Sequence, residues 1–256
     1  MKRYEGKIVW VTGAETALGH AAAAAFAGEG AKLILSGVSE PPEELRAACV
    51  LASNEKLLED DTARDVLRRA GGHVDVLIHA NRKVSLTSIE NFDEKTWDED
   101  MDEVARTAFV ATRAAGINMA LEGTKGSVLY ISSFHDDKPT TSAFIFSAAC
   151  GAVSLLMKES ALELGRKGIR VNLLEVGTYA GDDSGITSQV CFHPKYLLKK
   201  IPMGRQGTPA EMVAPALFLC SDEASFVNGA SLRVDGGQML WNTYVDMEKR
   251  WKNVRA

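Results

Sequence analysis

The opening of the chain limits its fold more than any other stretch. Lys7 to Val11 is a short apolar run, Thr12-Gly13-Ala14-Glu15-Thr16-Ala17-Leu18-Gly19 follows, and an alanine-rich segment runs from Ala21 to Ala27. A brief apolar run, a glycine turn and a series of strong helix formers predict strand, turn and helix in that order. A strand that passes directly into a helix starts a crossover unit. This βα unit therefore points to a parallel sheet with helices on its faces.

The rest of the chain repeats the pattern. Strands are predicted at Lys32 to Leu35, near Cys49 to Ala52, and at Val74 to Ile78, Gly126 to Ile131 and Ile169 to Leu174. Helices are predicted at Thr62 to Ala70, ended by Gly71-Gly72, from Trp97 through Arg113, and from Ala143 to Gly165, where Leu155, Leu156 and Leu162 read as packing residues. At 256 residues the chain fits one such domain. The net charge of −5, with no long basic run, argues against nucleic acid as a main partner. No apolar stretch reaches the roughly 18 residues of a membrane span. The first residues lead straight into a strand without a signal-peptide core, and Cys49, Cys150, Cys191 and Cys220 show no CxxC spacing. The expectation is a cytoplasmic protein with reduced thiols and no metal site.

The informative segment for chemistry is Ile131-Ser132-Ser133-Phe134-His135, a loop, then Phe146-Ser147-Ala148-Ala149-Cys150-Gly151-Ala152-Val153. It resembles the catalytic segment of the short-chain dehydrogenase/reductase family, in which a Ser closes a strand and a Tyr-x-x-x-Lys pair, thirteen residues on, opens the next helix. Ser133 is in register, Phe146 stands at the Tyr position and Cys150 at the Lys position. Trp97 and Phe109 keep the frame of the family's long central helix, but its Asn position holds Val104 and its Gly position Thr107. The closing run Phe226-Val227-Asn228-Gly229 to Val234-Asp235-Gly236-Gly237 matches the family's ending. The resemblance spans nearly all of residues 5–237. It implies a single doubly wound Rossmann-like α/β domain over 1–237, with a parallel seven-stranded sheet and helices on both faces. Residues 238–256 form a C-terminal extension, with Trp241, Tyr244 and Trp251 packing on their own domain or on a partner subunit.

These replacements fall on the proton-handling groups. A carbonyl reductase must deliver a proton to an alkoxide and an alcohol dehydrogenase must remove one, which requires an ionisable group within hydrogen-bond reach. A phenyl ring has no such proton, and a thiol cannot supply an ammonium's charge. Ser133 is then vestigial, and no residue is expected to be catalytic. Val104, Phe146 and Cys150 remove one polar network as a unit, as expected when a half-satisfied buried network is worse than an apolar one.

The cofactor positions are eroded as well. Gly13 and Gly19 match the family's glycine turn, but its middle glycine is Ala17, and Glu15 sets a carboxylate where it would oppose a phosphate. Gly37-Val38 carries neither the acid that holds a ribose hydroxyl nor the Arg that holds a phosphate, and Asn54 replaces an Asp. His79-Ala80-Asn81-Arg82 stands where the family has Asn-Asn-Ala-Gly, so Arg82 would place a cation beside the cofactor ribose. His79 is a candidate general base, although a histidine at a strand end is more often structural. Ser133, His135 and Asp136 or Asp137 suggest a triad, but neighbours in sequence seldom converge that way. Thr178 to Cys191 corresponds to the family's substrate lid, where Asp182-Asp183 could contact a partner but reads rather as a solvated pair.

The resemblance therefore implies a catalytically inactive subunit of a hetero-oligomeric short-chain alcohol dehydrogenase acting on a hydroxyacyl-coenzyme A. No cofactor is expected in this chain. NAD would be bound by an active sister subunit in a heterotetramer, the long helices forming the contacts. The alternatives are a redox-free enzyme on the same fold, similar to the halohydrin dehalogenases, with His79, His135 or Arg82 in new roles, and a module that binds a nucleotide through Gly13 and Gly19.

Overall fold

Successive side chains of a central strand point to opposite faces, so a strand buried on both sides must be apolar throughout. The computed structural model describes residues 2–91, 93–139, 142–182 and 198–240 and shows this in β1 (Ile8–Thr12). Val9 and Val11 enter one core, with Leu33, Leu35 and Ile78, while Trp10 enters a second core with Ile34, Leu77 and Tyr130. The sheet continues with β2 (Lys32–Ser36), β3 (Cys49–Ser53), β4 (Val76–His79), β5 (Ser127–Ser133), β6 (Arg170–Val176) and β7 (Ser231–Val234). All seven strands are parallel, in the order β3-β2-β1-β4-β5-β6-β7.

Helix α1 (Ala17–Gly28) packs into the first core, and α2 (Asp60–Arg69) into the second. The predicted helix beginning near Trp97 is broken. Helix α3 (Glu94–Met101) runs into a π-helical turn, Asp102–Arg106, before α4 (Thr107–Glu122), and α4 joins the second core together with α5 (Phe144–Gly165). The short helices α6 (Pro209–Val213) and α7 (Ala216–Leu219) complete the first face, α6 being started by a capping box between Thr208 and Glu211.

Strands β5 and β6 extend two residues past their predicted ends, because Ser132–Glu175 and Ser133–Val176 remain in register. The family-like ending is a structural lock. Asn228 accepts from the Val171 amide at 2.8 Å and donates to the Ala161 carbonyl at 3.0 Å, and Asp235 accepts from the amides of Gly237 and Met239, both at 2.8 Å.

Two sequence expectations are corrected. Helix α5, 22 residues long, is long and apolar enough to cross a membrane by length and composition. Its Ala149, Val153, Met157 and Ala161 are instead buried against the sheet, as in a core helix. Leu155 and Leu162, read as packing, are 63% and 73% exposed, and only Leu156 packs on the core. With Phe144 they form a stripe along α5, beside exposed Phe109, Ile117 and Leu121 on α4. The extension beyond 240 and Cys191 lie outside the described residues.

Candidate functional site

Ligands of open parallel sheets bind outside the carboxyl ends of the strands, where β1 and β4 diverge into their loops. Strand β5 delivers Ser133 to this edge, and the first turns of α5 deliver Phe146 and Cys150 one turn apart on one buried face. The Phe146 ring is 2% exposed, Cys150 is 1% exposed, and Val104, in the π turn, is 4% exposed. All three line one small cavity of about 10 Å³, with His79, Arg82 and Ser132 also in its wall. A space of that size holds about one water molecule. The positions that the sequence linked as one replaced network are therefore spatial neighbours.

No member of this group carries a mobile proton at neutral pH. Burial pushes the Cys150 thiol up to about 11, against smaller opposing effects from Ser132 and the Arg82 charge. It is a neutral, apolar-facing thiol. The Ser132 hydroxyl is buried and, among the described residues, has that thiol alone as a weak partner.

His79 is held from both sides. Its Nδ1 lies 3.0 Å from the Thr12 hydroxyl and its Nε2 lies 3.1 Å from the Val104 carbonyl. A carbonyl only accepts, so Nε2 carries the proton and Nδ1 accepts from Thr12. The π turn supplies the partner, since its wider ring leaves a helix carbonyl free to point sideways. Burial lowers the His79 pKa to about 4, with the Val104 bond acting weakly the other way. The ring is a neutral strut between β1, β4 and the central helix, and both its nitrogens are engaged.

Arg82 departs from the expected placement beside a ribose. Its guanidinium carbon lies 4.8 Å from the centroid of the Phe146 ring and 5.9 Å from that of Tyr179. Its Nη2 reaches the Asp182 carboxylate at 3.3 Å, the side chains being 14% and 7% exposed. Asp182 is therefore a buried ion-pair partner rather than part of a solvated pair, while Asp183 lies outside the described residues. A cation over an aromatic face inside a desolvated site is held by about 2 kcal/mol, and the carboxylate adds to that. No single sequence could have paired residues a hundred positions apart. The signal was limited to an unexpected Arg and an acid in the lid.

Ser133 and His135 do converge, against expectation: the Ser133 Oγ lies 2.7 Å from His135 Nδ1. The His135 ring stacks on Phe134 at 4.7 Å and meets Phe146 edge-on at 5.2 Å. Burial first, and the Arg82 charge second, lower its pKa to about 4, while Asp182 opposes them. Asp137 is drawn away into an ion pair with Arg233 at 3.1 Å. Both Ser133 and His135 are buried, and the pair is a packed hydrogen bond with a weakly basic ring.

At the other end of the crevice, Gly13 is needed for the turn. Its φ is +68°, and a Cβ there would stand 2.5 Å from the Asn81 amide nitrogen. Thr16 caps α1, accepting from the Gly19 amide at 3.0 Å and donating to the Gly13 carbonyl at 2.8 Å. The Glu15 side chain is exposed overall, but its carboxylate lies against Gly37, so close that a Cβ at Gly37 would overlap it. Partial burial, with the Glu103 charge adding to it, raises the Glu15 pKa. Glu103 in turn accepts from the Asn81 side-chain amide at 2.7 Å.

A parallel three-layer domain with a glycine turn at its β1–α1 corner and a Ser-bearing β5 defines a dinucleotide-fold oxidoreductase scaffold. The comparisons agree. The family model described as Enoyl-(Acyl carrier protein) reductase matches residues 13–239. The chain belongs to the short-chain dehydrogenase/reductase family. It is 33% identical to galactitol 2-dehydrogenase (L-tagatose-forming) of Cereibacter sphaeroides, over 93% of this chain and 97% of that one. It is 29% identical to glucose 1-dehydrogenase 2 of Bacillus subtilis, over 96% and 99%. A solved short chain dehydrogenase from Bacillus anthracis superposes with a TM-score of 0.82 at 26% identity, covering 94% of this chain and 99% of that one. The fold is also that of gluconate 5-dehydrogenase from Burkholderia cenocepacia, with a TM-score of 0.84 at 23% identity over 94% and 98%.

Proposed function

We propose that this chain is a catalytically silent subunit of a hetero-oligomeric short-chain alcohol dehydrogenase, a soluble cytoplasmic complex in which an active sister subunit binds NAD and performs the chemistry. One observation carries the reading. The Arg82 guanidinium sits over the Phe146 ring at the position where working relatives keep a phenol, and its charge is closed off by Asp182. The reading is supported by the side chains next to Ser133, where the His135 ring meets Phe146 edge-on and Arg82 covers Phe146.

The residues at the cofactor crevice do not fit a dinucleotide. The Glu15 carboxylate covers Gly37 at the end of β2, where the adenosine ribose and its phosphate would lie, and it would repel them. The reading is also supported by the space between Arg82 and Cys150, a cavity of about 10 Å³, far smaller than a nicotinamide ring. Selection for assembly keeps the fold while the site becomes packing. The exposed stripe of Phe144, Leu155 and Leu162 on α5, beside Phe109 on α4, supplies the apolar area that a subunit contact needs. The substrate of the complex is a hydroxyacyl-coenzyme A, for which hydroxybenzylsuccinyl-coenzyme A is the candidate.

The test compares the chain purified alone with the chain co-purified with a sister that retains Ser, Tyr and Lys. Alone it neither turns over NAD with hydroxyacyl-coenzyme A substrates nor gives a calorimetric signal with NAD, whereas the complex does both. A homo-oligomer that oxidises such a substrate at the rate of working relatives would sink the proposal.

A further inference from the structure

At the far end of the sheet from this site, the starts of β4, β5 and β6 and the residues leading into β1 open into a cavity of about 660 Å³. That volume is within the range of about 300–1,000 Å³ typical of small-molecule sites. Its lining sets Arg3, Lys7, Lys125 and Arg170 against Asp75 and Asp222, an excess of positive charge in a chain whose net charge is −5. Two of the cations are neutralised within the fold, Lys7 by Asp75 and Arg3 by Glu29, both at 3.0 Å.

The other two are not. Arg170 donates to the carbonyls of Leu219, Ser221 and Val227 at 2.5, 2.9 and 3.4 Å. Those bonds fix the guanidinium while leaving its charge without a carboxylate partner among the described residues. The Lys125 stem lies across Gly168, whose φ is +78°, and its Cγ would stand 3.2 Å from a Cβ placed there. Among the described residues no carboxylate forms an ion pair with its ammonium either. Asp222 is the one carboxylate of the lining outside these pairs, so Arg170 and Lys125 together still leave the concave wall with a net positive charge. Phe226, also in the lining, has its side chain fully exposed, which is unusual for a large apolar ring.

We propose that this cavity binds a small organic polyanion, a phosphate monoester or a polycarboxylate. Lys125 and Arg170 hold its charged groups, and the Phe226 ring covers its carbon skeleton. The donor fork of Arg170 is already engaged by carbonyls, so both cations act as point charges, and the site selects charge and size rather than a phosphate or carboxylate shape.

The full chain is titrated by calorimetry with glycerol phosphate, citrate and inorganic phosphate, with glycerol as the uncharged control. Saturable binding of glycerol phosphate or citrate is expected, weakening as salt is added, with none for glycerol. Lys125 is exposed and its replacement leaves the fold intact, so Lys125→Gln should weaken binding about tenfold, the effect of about 1.4 kcal/mol. Lys125→Glu should abolish it. Tight binding of inorganic phosphate but not citrate would identify a phosphate source, and the reverse a carboxylate source; either supports the site. The inference is overturned if no anion binds, or if binding survives unchanged in Lys125→Glu. It is equally overturned if no anion binds and Phe226→Ser alters the mass of the protein in solution, since the cavity is then a subunit contact.

Discussion

Acidification should destabilise this protein through two histidines that the fold keeps neutral. His79 and His135 are 1% and 4% exposed, and both titrate at about 4 in the folded chain against 6.5 when exposed. Their folded values are depressed, so the unfolded chain binds more protons between those two values. Stability is therefore complete above pH 6.5 and falls as the pH drops toward 4. Each group can contribute about 3 kcal/mol in full acid, and about 2 kcal/mol of that is lost by about pH 5. Together they remove about 4 kcal/mol from a domain whose total stability is typically about 5–15 kcal/mol. His73, raised mainly by its bond to Glu122, acts in the opposite sense: its contribution is present in acid and lost as the pH rises through its folded value. It is partly exposed and screened, so it softens the slope without reversing it. The assay is urea unfolding from about pH 7.5 to 5, with the histidine ring protons followed by NMR in the native state. His79→Phe adds a control. It leaves the Thr12 hydroxyl and the Val104 carbonyl unpartnered, at a cost of about 2–4 kcal/mol near neutral pH, and removes about half of the acid sensitivity. A native His79 that titrates near 6.5, or a stability flat across this range, would refute the locked-strut account and return His79 to candidacy as a general base.

Other expectations follow from the same contacts. Arg82→Ala removes the guanidinium that pairs with Asp182 and covers Phe146, and should cost about 3 kcal/mol by denaturant unfolding; an unchanged midpoint would mean that Arg82 does not sit on Phe146 in solution. Phe146→Tyr with Cys150→Lys should not restore NAD-linked turnover, because Glu15, Arg82 and Val104 remain. It should also lose several kcal/mol of stability, since an ammonium at the Cys150 position would be buried unpaired, and measurable dehydrogenase activity in that variant would contradict the account of the site. Leu155→Glu with Leu162→Glu should leave the secondary structure seen by circular dichroism unchanged while lowering the mass of the complex in light scattering, because both positions are exposed in the single chain. An unaltered mass would place the subunit contact elsewhere.

The fold was legible because its signals are local. A short apolar run before a glycine turn, alternation of burial along strands, and the spacing from Ser133 to Phe146 each lie within a few residues or one motif. The site was legible only as subtraction: the sequence could say what Phe146, Cys150 and Val104 do not do. What filled the gap depended on residues distant in the chain. Arg82 turns toward Asp182 and Tyr179 rather than toward a ribose, and the sequence offers no pairing signal between them. The Ser133–His135 bond was missed because two residues adjacent to a strand end normally diverge, and here a single 3-10 turn, Phe134–Asp136, folds the ring back. Leu155 and Leu162 read as packing residues because an apolar residue on an exposed helix face and one facing the core have the same sequence signature.

The π turn at Asp102–Arg106 also sets the rotational phase of everything after it. It accommodates one residue more than an α-helical turn, and each residue of an α-helix swings the next by about 100°. Deleting any one residue there would straighten the helix, carry Phe109 and Ile117 into the buried places of Ala108 and Gly116, and push Val110 and Ala114 out to the exposed places of Phe109 and Arg113. The outward apolar face of α4 is thus indexed to the carbonyl that His79 holds. An insertion or deletion beside Val104 would reach the outer surface of the molecule as a change of its exposed apolar side chains.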